Sequence, residues 1–450
     1  MRKLVLSVLL LSVGVMGFAQ DASQEAKYRR SSLYTIMLPD DKLADEQKEI
    51  VAAAFLEKAF PDKYNNHCLS ERVLDLAAIK AIPVTQEEID AAEKEGAAGK
   101  KGIGGLAKGL GGMMKSKSNG EEKKLDENSD AAYVARLQKY FKDNKVAQKM
   151  VAKWVGGGET KPAAAQAMSQ ALIEERGMQT LSQDEITTAK EAGNYNEVCF
   201  NAMMDLLPKT FVMVNRYSYL SAEDIITYIT AAASVVGGGY ATLAGAGLAA
   251  VLKGYFVKTS TFLFQLDLDQ NKINELAEKY TNDISGIYDD DSYKLKYVGK
   301  TWDYAPAALS LSLNEDAMKK LISRATVRAT DGAISKLQDK YEQFKTLSTL
   351  HQDGDQLFAY IGMKEGVKKG DKFEVLQMTV NKKTGKEEFK AIKTVKVEKD
   401  GVWDNREGAG EVIEGAASGK EDDDANESLK YTKLGTSKDL LDGSLIRQVK

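Results

Sequence analysis

The alternation of apolar and polar positions is most informative between Lys209 and Asp269. Lys209 to Leu220 (KTFVMVNRYSYL) and Gly254 to Asp269 (GYFVKTSTFLFQLDLD) are rich in β-branched and aromatic residues, which predicts two buried strands. In the second, Phe256, Phe262, Phe264 and Leu266 fall on one side and Tyr255, Val257 and Leu263 on the other. Apolar residues on both sides predict a strand central in its sheet. Between the two strands, Ile225 to Leu252 carries no charge. That run is long enough to span a membrane, but Gly237-Gly238-Gly239, Gly245 and Gly247 weaken any continuous helix. The expectation is two short helices, or a helix and a loop, packed on the sheet; a membrane-inserted hairpin is the alternative.

The rest of the chain follows the same logic. Ser31 to Leu38 (SSLYTIML) reads as a strand and Ala44 to Phe60 as a helix stopped by Pro61. Val134, Leu137, Phe141, Ala147, Val151 and Trp154 make an apolar stripe at helical spacing that ends at Gly156-Gly157-Gly158. Thr160 with Pro162 is expected to start a helix running to Gly177. Ser182 with Glu185 would form the capping box of another, closed by Gly193. Tyr293, Leu295 and Tyr297 alternate with Lys294 and Lys296, as in a half-solvated strand. Asn314 caps a long helix that buries Ala317, Leu321, Ala325, Ile334, Leu337, Tyr341 and Phe344.

From about Gln356 the pattern becomes all-β: LFAYIG, KFEVLQMTV and EFKAIKTVKVEK are short strands, with turns at Gly366 to Asp371 and at Thr384-Gly385. Ser444 to Val449 supplies a last strand, after an acidic Gly/Ala-rich loop at about 407–428. The fold class is therefore mixed α+β. An N-terminal and central α/β domain over 20–350 packs helices on a mixed sheet, and a small β-barrel follows over 351–450.

Within the first domain, Thr85 to Asp130 changes character. Glu and Lys runs flank a glycine-rich stretch that cannot bury enough surface to offset its ordering entropy, which predicts a flexible insert at about 85–130. Inside it, Lys100 to Lys117 (KKGIGGLAKGLGGMMKSK) places Ile103, Leu106, Leu110, Met113 and Met114 on one helical face. Such a basic amphipathic peptide could contact an anionic membrane surface or a partner; a solvated linker is the plainer reading.

Residues 1–19 read as a secretory signal peptide: Arg2 and Lys3, then the apolar run Leu4 to Val15, then Gly17-Phe18-Ala19 as the cleavage site. No cysteine lies near the cut, so lipidation there is excluded and an exported protein, periplasmic or on the cell surface, is expected. The net charge of −4 argues against a nucleic-acid partner. Cys68 and Cys199 are the only cysteines. In an oxidising compartment they could form a disulfide, with two free buried thiols as the alternative. His67 and His351 are the only histidines, which leaves little for multi-histidine metal sites or histidine bases.

A resemblance appears in the C-terminal region. IGMKEGVKKGDKFEVLQ (Ile361 to Gln377) with KTVKVEKDGVWDNR (Lys393 to Arg406) resembles a β-barrel module of uncharacterised secreted proteins of Bacteroidota. It is also loosely similar to the C-terminal domain of the flagellar assembly protein T family. FVMVNRYSYL and TFLFQLD extend the likeness into the central domain. The resemblance implies no catalytic residues.

Other motifs have bland readings. Gly245-Ala246-Gly247-Leu248-Ala249-Ala250, with Asp267 downstream, matches a dinucleotide fingerprint but follows YATLA, a poor strand. Asp267, Asp269, Asn271, Glu275 and Glu278 have EF-hand spacing, yet Lys272 stands where that loop needs glycine. Asp289-Asp290-Asp291 and Glu421 to Asp424 read as solvated loops. No cofactor or metal is expected. The functional expectation is a non-enzymatic envelope protein that binds another envelope protein or assembles a complex. The alternatives are a glycan or peptide hydrolase using dispersed carboxylates, with Trp302 and Trp403 as carbohydrate-facing candidates, and a peripheral membrane protein.

Overall fold

A computed structural model describes residues 31–39, 43–99, 129–179, 181, 183–221, 255–308, 314–380, 387–411, 428–436, 440 and 443–449. It is a mixed α+β protein. Strands β1 (Ser31–Pro39), β2 (Tyr64–Asn66), β3 (Thr210–Ser221), β4 (Tyr255–Leu266) and β5 (Leu295–Ala308) form one sheet in the order β2-β1-β3-β4-β5. β1 runs parallel to β2 and β3, whereas β4 runs antiparallel to both of its neighbours, β3 and β5. The two strands expected to be buried are thus neighbours well inside the sheet. Period-2 alternation divides their side chains: Val212, Val214, Phe262 and Phe264 enter one core, and Phe211, Met213 and Leu263 enter another on the opposite face.

Helices cover both faces. On one lie α1 (Asp45–Glu57) and α10 (Glu315–Lys340). The other carries α2 (Leu76–Ala81), α3 (Gln86–Gly99), α4 (Asp130–Asp143), α5 (Val146–Trp154), α6 (Gln170–Met178), α8 (Tyr195–Leu206) and α9 (Gln270–Tyr280), with α7 (Gln183–Glu191) packed on α8. The side chain of Asn314 caps α10 by accepting from Ala317 N at 2.8 Å.

The single stripe from Val134 to Trp154 is buried throughout but belongs to two helices. The break falls at Asn144–Lys145, where Lys145 takes φ 52° and its ammonium donates to Tyr288 O at 3.0 Å. Two further expectations change. Residues 160–168 do not start a helix: Met168 N and Ile284 N bond to Thr281 O and Gln166 O, which ties the segment to its neighbour. Ser169 caps the later helix α6 instead. Residues 86–99, read as the start of a flexible insert, form α3. Ile89 and Ala92 are buried, and Glu95 accepts from Gln138 Nε2 (2.9 Å) and Tyr297 N (3.0 Å), so tertiary contacts outweigh the polar composition. Where α6 crosses α8, a Cβ on Gly177 would sit 2.3 Å from Cys199 O, so the crossing requires glycine.

The C-terminal unit comprises β6 (Ser348–Thr349), β7 (His351–Asp353), β8 (Gln356–Ala359), β9 (Lys372–Val380), β10 (Glu387–Lys396), β11 (Thr432–Leu434) and β12 (Leu445–Val449). These pair as β10-β9-β12-β6 and β11-β8-β7 around one core. β6 and β7 are one segment bent at Leu350, which bonds both ways to 443–444 (Leu350 N to Ser444 O 2.7 Å, Gly443 N to Leu350 O 2.9 Å). On the other side the chain leaving β10 meets β11 through Glu398 N to Lys433 O (3.1 Å) and Gly435 N to Lys396 O (2.8 Å). The hydrogen bonds therefore run round the unit, as a small barrel requires.

Candidate functional site

α10 carries the barrel on its C-terminal half, and a cleft of about 840 Å³ opens between the two units. Its walls come from four places. The loop into β2 gives Lys63 and Tyr64; α10 gives Asp331, Ser335 and Gln338; the 3₁₀ turn Met363–Glu365 gives Lys364 and Glu365; and the 403–409 loop gives Trp403 and Arg406. His351 and Tyr360 stand at one side. A Cβ on Gly362 would lie 2.3 Å from Trp403 O, so that glycine lets the turn and the 403–409 loop approach closely.

The carboxylates of this cleft are engaged by the protein itself. Asp331 pairs with Lys58 at 2.7 Å, each side chain only 7% exposed. Burial raises the Asp331 carboxyl above its usual range while Lys58 pulls the other way. Arg406 clamps Asp404 through Nε to Oδ1 (2.9 Å) and Nη2 to Oδ2 (2.6 Å). Burial works to raise Asp404, but the Arg406 bonds outweigh it and hold the carboxyl below its usual range. Glu365 Oε2 accepts from Gly362 N (2.7 Å) and Asn405 Nδ2 (2.8 Å). Tyr64 donates to Phe344 O at 3.1 Å and accepts from Gln338 Nε2 at 2.8 Å.

The ammonium groups of Lys63 and Lys364 differ: among the described residues neither has a hydrogen bond or an ion pair. Both side chains are half-buried. Lys63 is closely surrounded, and burial pushes its amine below the usual lysine range, with Lys364 adding to that push and Glu365 and Asp62 opposing it.

At the rim of the cleft, where His351 and Tyr360 stand, the three-stranded sheet shows an unusual surface. In β8, Leu357 and Ala359 point into the barrel core, so Phe358 and then Tyr360 point outward. Phe358 stacks on His351 (5.4 Å, 25°) and packs against Tyr431 (4.3 Å), while Tyr360 meets His351 edge-on at 5.0 Å. Tyr360 is 60% exposed.

The residues singled out by sequence are scattered. Cys68 and Cys199 are free thiols, which corrects the disulfide expectation. Cys68 Sγ lies against Thr35 N and Oγ1 (3.4 and 3.6 Å), whereas Cys199 is buried in α8 beside Gly177, its thiol pushed up by burial. His67 is buried: Nε2 lies 2.8 Å from Met150 O, the ring packs at a tilt against Trp154 at 5.4 Å, and burial lowers its pKa to about 3. His351 is the first residue of β7.

The EF-hand-like loop is a helix start: Asp269 caps α9 through Lys272 N (2.9 Å), and Lys272 Nζ bonds Asp267 O and Ser292 O. Asp289 holds Lys161 at 2.5 Å. Among the described residues no cluster of three or more His, Cys, Asp or Glu could hold a metal, and no helix is long and apolar enough to cross a membrane. Trp302 is 42% exposed and stacks on Tyr304 in β5, whereas Trp403 lines the cleft. Residues 1–19, Ile103, Leu106, Leu110, Met113, Met114, 225–252 and Ser182 lie outside the described residues.

Sequence reasoning missed Lys63, Lys364 and the 360–431 ring group. The only signal was the alternation in LFAYIG, whose second and fourth apolar positions fall on the outer side of the strand. No protein-family model matches the chain, and a search among curated proteins finds no match.

Proposed function

We propose that this chain is an exported, non-enzymatic protein of the cell envelope that works by holding another protein. The observation that carries the reading is the outward face of β7-β8-β11. A barrel strand with one side in the core ordinarily gives its other side to polar residues, yet here His351, Phe358, Tyr360 and Tyr431 form a continuous ring surface. Tyrosine is enriched among the residues that dominate protein interfaces, because a large rigid ring buries much area at little entropic cost. The signal-like N-terminus and the resemblance of 361–406 to a module of secreted proteins support the same reading.

The test is a photo-crosslinking residue placed at position 360 and, as a comparison, at the exposed Lys390 on β10, in cells of the native organism. One partner protein joined at position 360 and not at position 390 is the expected result. No adduct at position 360, or the same adducts at both positions, would overturn it.

A further inference from the structure

We propose that the cleft between the two units binds a small acidic sugar, with its oxyanion held between Lys63 and Lys364 and its ring against Trp403. This goes beyond the protein-holding role and does not depend on it. The argument starts from charge. Asp331 is paired with Lys58, Asp404 is clamped by Arg406, and one oxygen of Glu365 already accepts two hydrogen bonds. Lys63 and Lys364 are thus two ammonium groups at the cavity without a bonded partner among the described residues, and the anionic charge beside them is that of Glu365, whose hydrogen bonds come from uncharged groups, and of Asp62. A cavity of about 840 Å³ has room for one or two sugar rings. The lining also includes residue types that suit a saccharide, the aromatic Trp403 and the hydroxyl-bearing Ser348 and Thr349.

The burial that pushes the Lys63 amine down is reversed when an anion sits beside it, because the ligand supplies the missing counter-charge. Binding therefore favours the protonated amine and weakens as pH rises. The groups that share in this balance are Asp62, Asp331, Asp339, Lys345, Lys364 and Glu365, with Arg447 of β12 on the adjoining smaller cavity.

The test is calorimetric titration of the purified chain with glucuronate, glucose 6-phosphate and glucose. The expected result is binding of at least one anionic sugar, with glucose at least about tenfold weaker. Lys63→Met and Lys364→Met should each weaken the anion about tenfold or more, while Lys390→Met leaves it unchanged. Tighter binding of glucuronate assigns a carboxylate, and tighter binding of glucose 6-phosphate a phosphate; both support the site. Loss of affinity of the unsubstituted chain between pH 7 and pH 10 gives a second measure that needs no variant. The proposal is overturned if neither anionic sugar binds at millimolar concentration, if glucose binds as tightly, or if both lysine variants bind like the parent chain.

Discussion

Two polar sites in this molecule are built from similar residue types and treated in opposite ways. Around His67, on one face of the sheet, the interior is closed: the ring meets Met150 O and packs against Trp154, the Arg176 guanidinium lies over that indole at 4.4 Å, and Trp154 Nε1 donates to Thr210 Oγ1 at 2.8 Å. At the cleft across α10, Asp331 and Asp404 are paired internally while Lys63 and Lys364 line the cavity without a bonded partner among the described residues. Burial of ionisable groups is costly, so the difference separates a site built to stay shut from one arranged to receive something. A buried histidine is here a packing residue, and the half-open lysines are the unusual feature.

Acid should break the closed site with the largest effect. A carbonyl can only accept, so the His67 proton sits on Nε2, and a second proton would have to enter at Nδ1, which has no partner. With the folded pKa near 3 against an ordinary 6.5, the unfolded chain takes up the proton first. The stabilising term is complete above about pH 6.5 and is lost as pH falls toward 3, on the order of 5 kcal/mol in all. Denaturant midpoints of the parent chain and His67→Gln should therefore converge as pH drops; parallel curves would contradict the burial of the ring.

Next in size is Lys58→Met. It leaves Asp331 buried without its cation and should cost roughly 3 to 5 kcal/mol, whereas Lys58→Met with Asp331→Leu should recover most of that loss. Chemical denaturation of both variants checks it; equal losses would mean the pair is not buried.

Lys63→Met should act in the reverse direction and more weakly. The folded amine is depressed, so as pH falls below about 10.5 the unfolded chain binds the proton first and stability declines until the folded value is reached. The variant escapes that loss. Its unfolding midpoint should exceed the parent's at pH 7, with the advantage gone above pH 10.5. The smallest effect on stability is expected of Tyr360→Ala, within about 0.5 kcal/mol as for other exposed side chains, even though it should remove partner capture.

How much of this was legible in the chain follows from the range of the forces. The strands β3 and β4, the capped helix α10 and the barrel strands announce themselves by period and caps, which are local. The break at Lys145 and the ordered helix over 86–99 depend on Tyr288 O, Tyr297 and Gln138, which come from distant segments. The cleft is less legible still. Lys63 and Lys364 are two of many surface-type lysines in the sequence, and only the docking of the 3₁₀ turn against the loop into β2 brings them to one cavity. The cysteines show the opposite error: an even count suggested a bond, but Cys68 lies beside β1 and Cys199 lies in α8, each with its own neighbours.

Amide hydrogen exchange tests the central claim most directly, comparing the purified chain with the chain in its native envelope extract. Slowed exchange confined to residues 351–360 and 431–434 is predicted, with β10 unchanged. Unaltered exchange across those two stretches, or slowing found only elsewhere, would contradict the claim that the outward ring face is where this protein holds its partner.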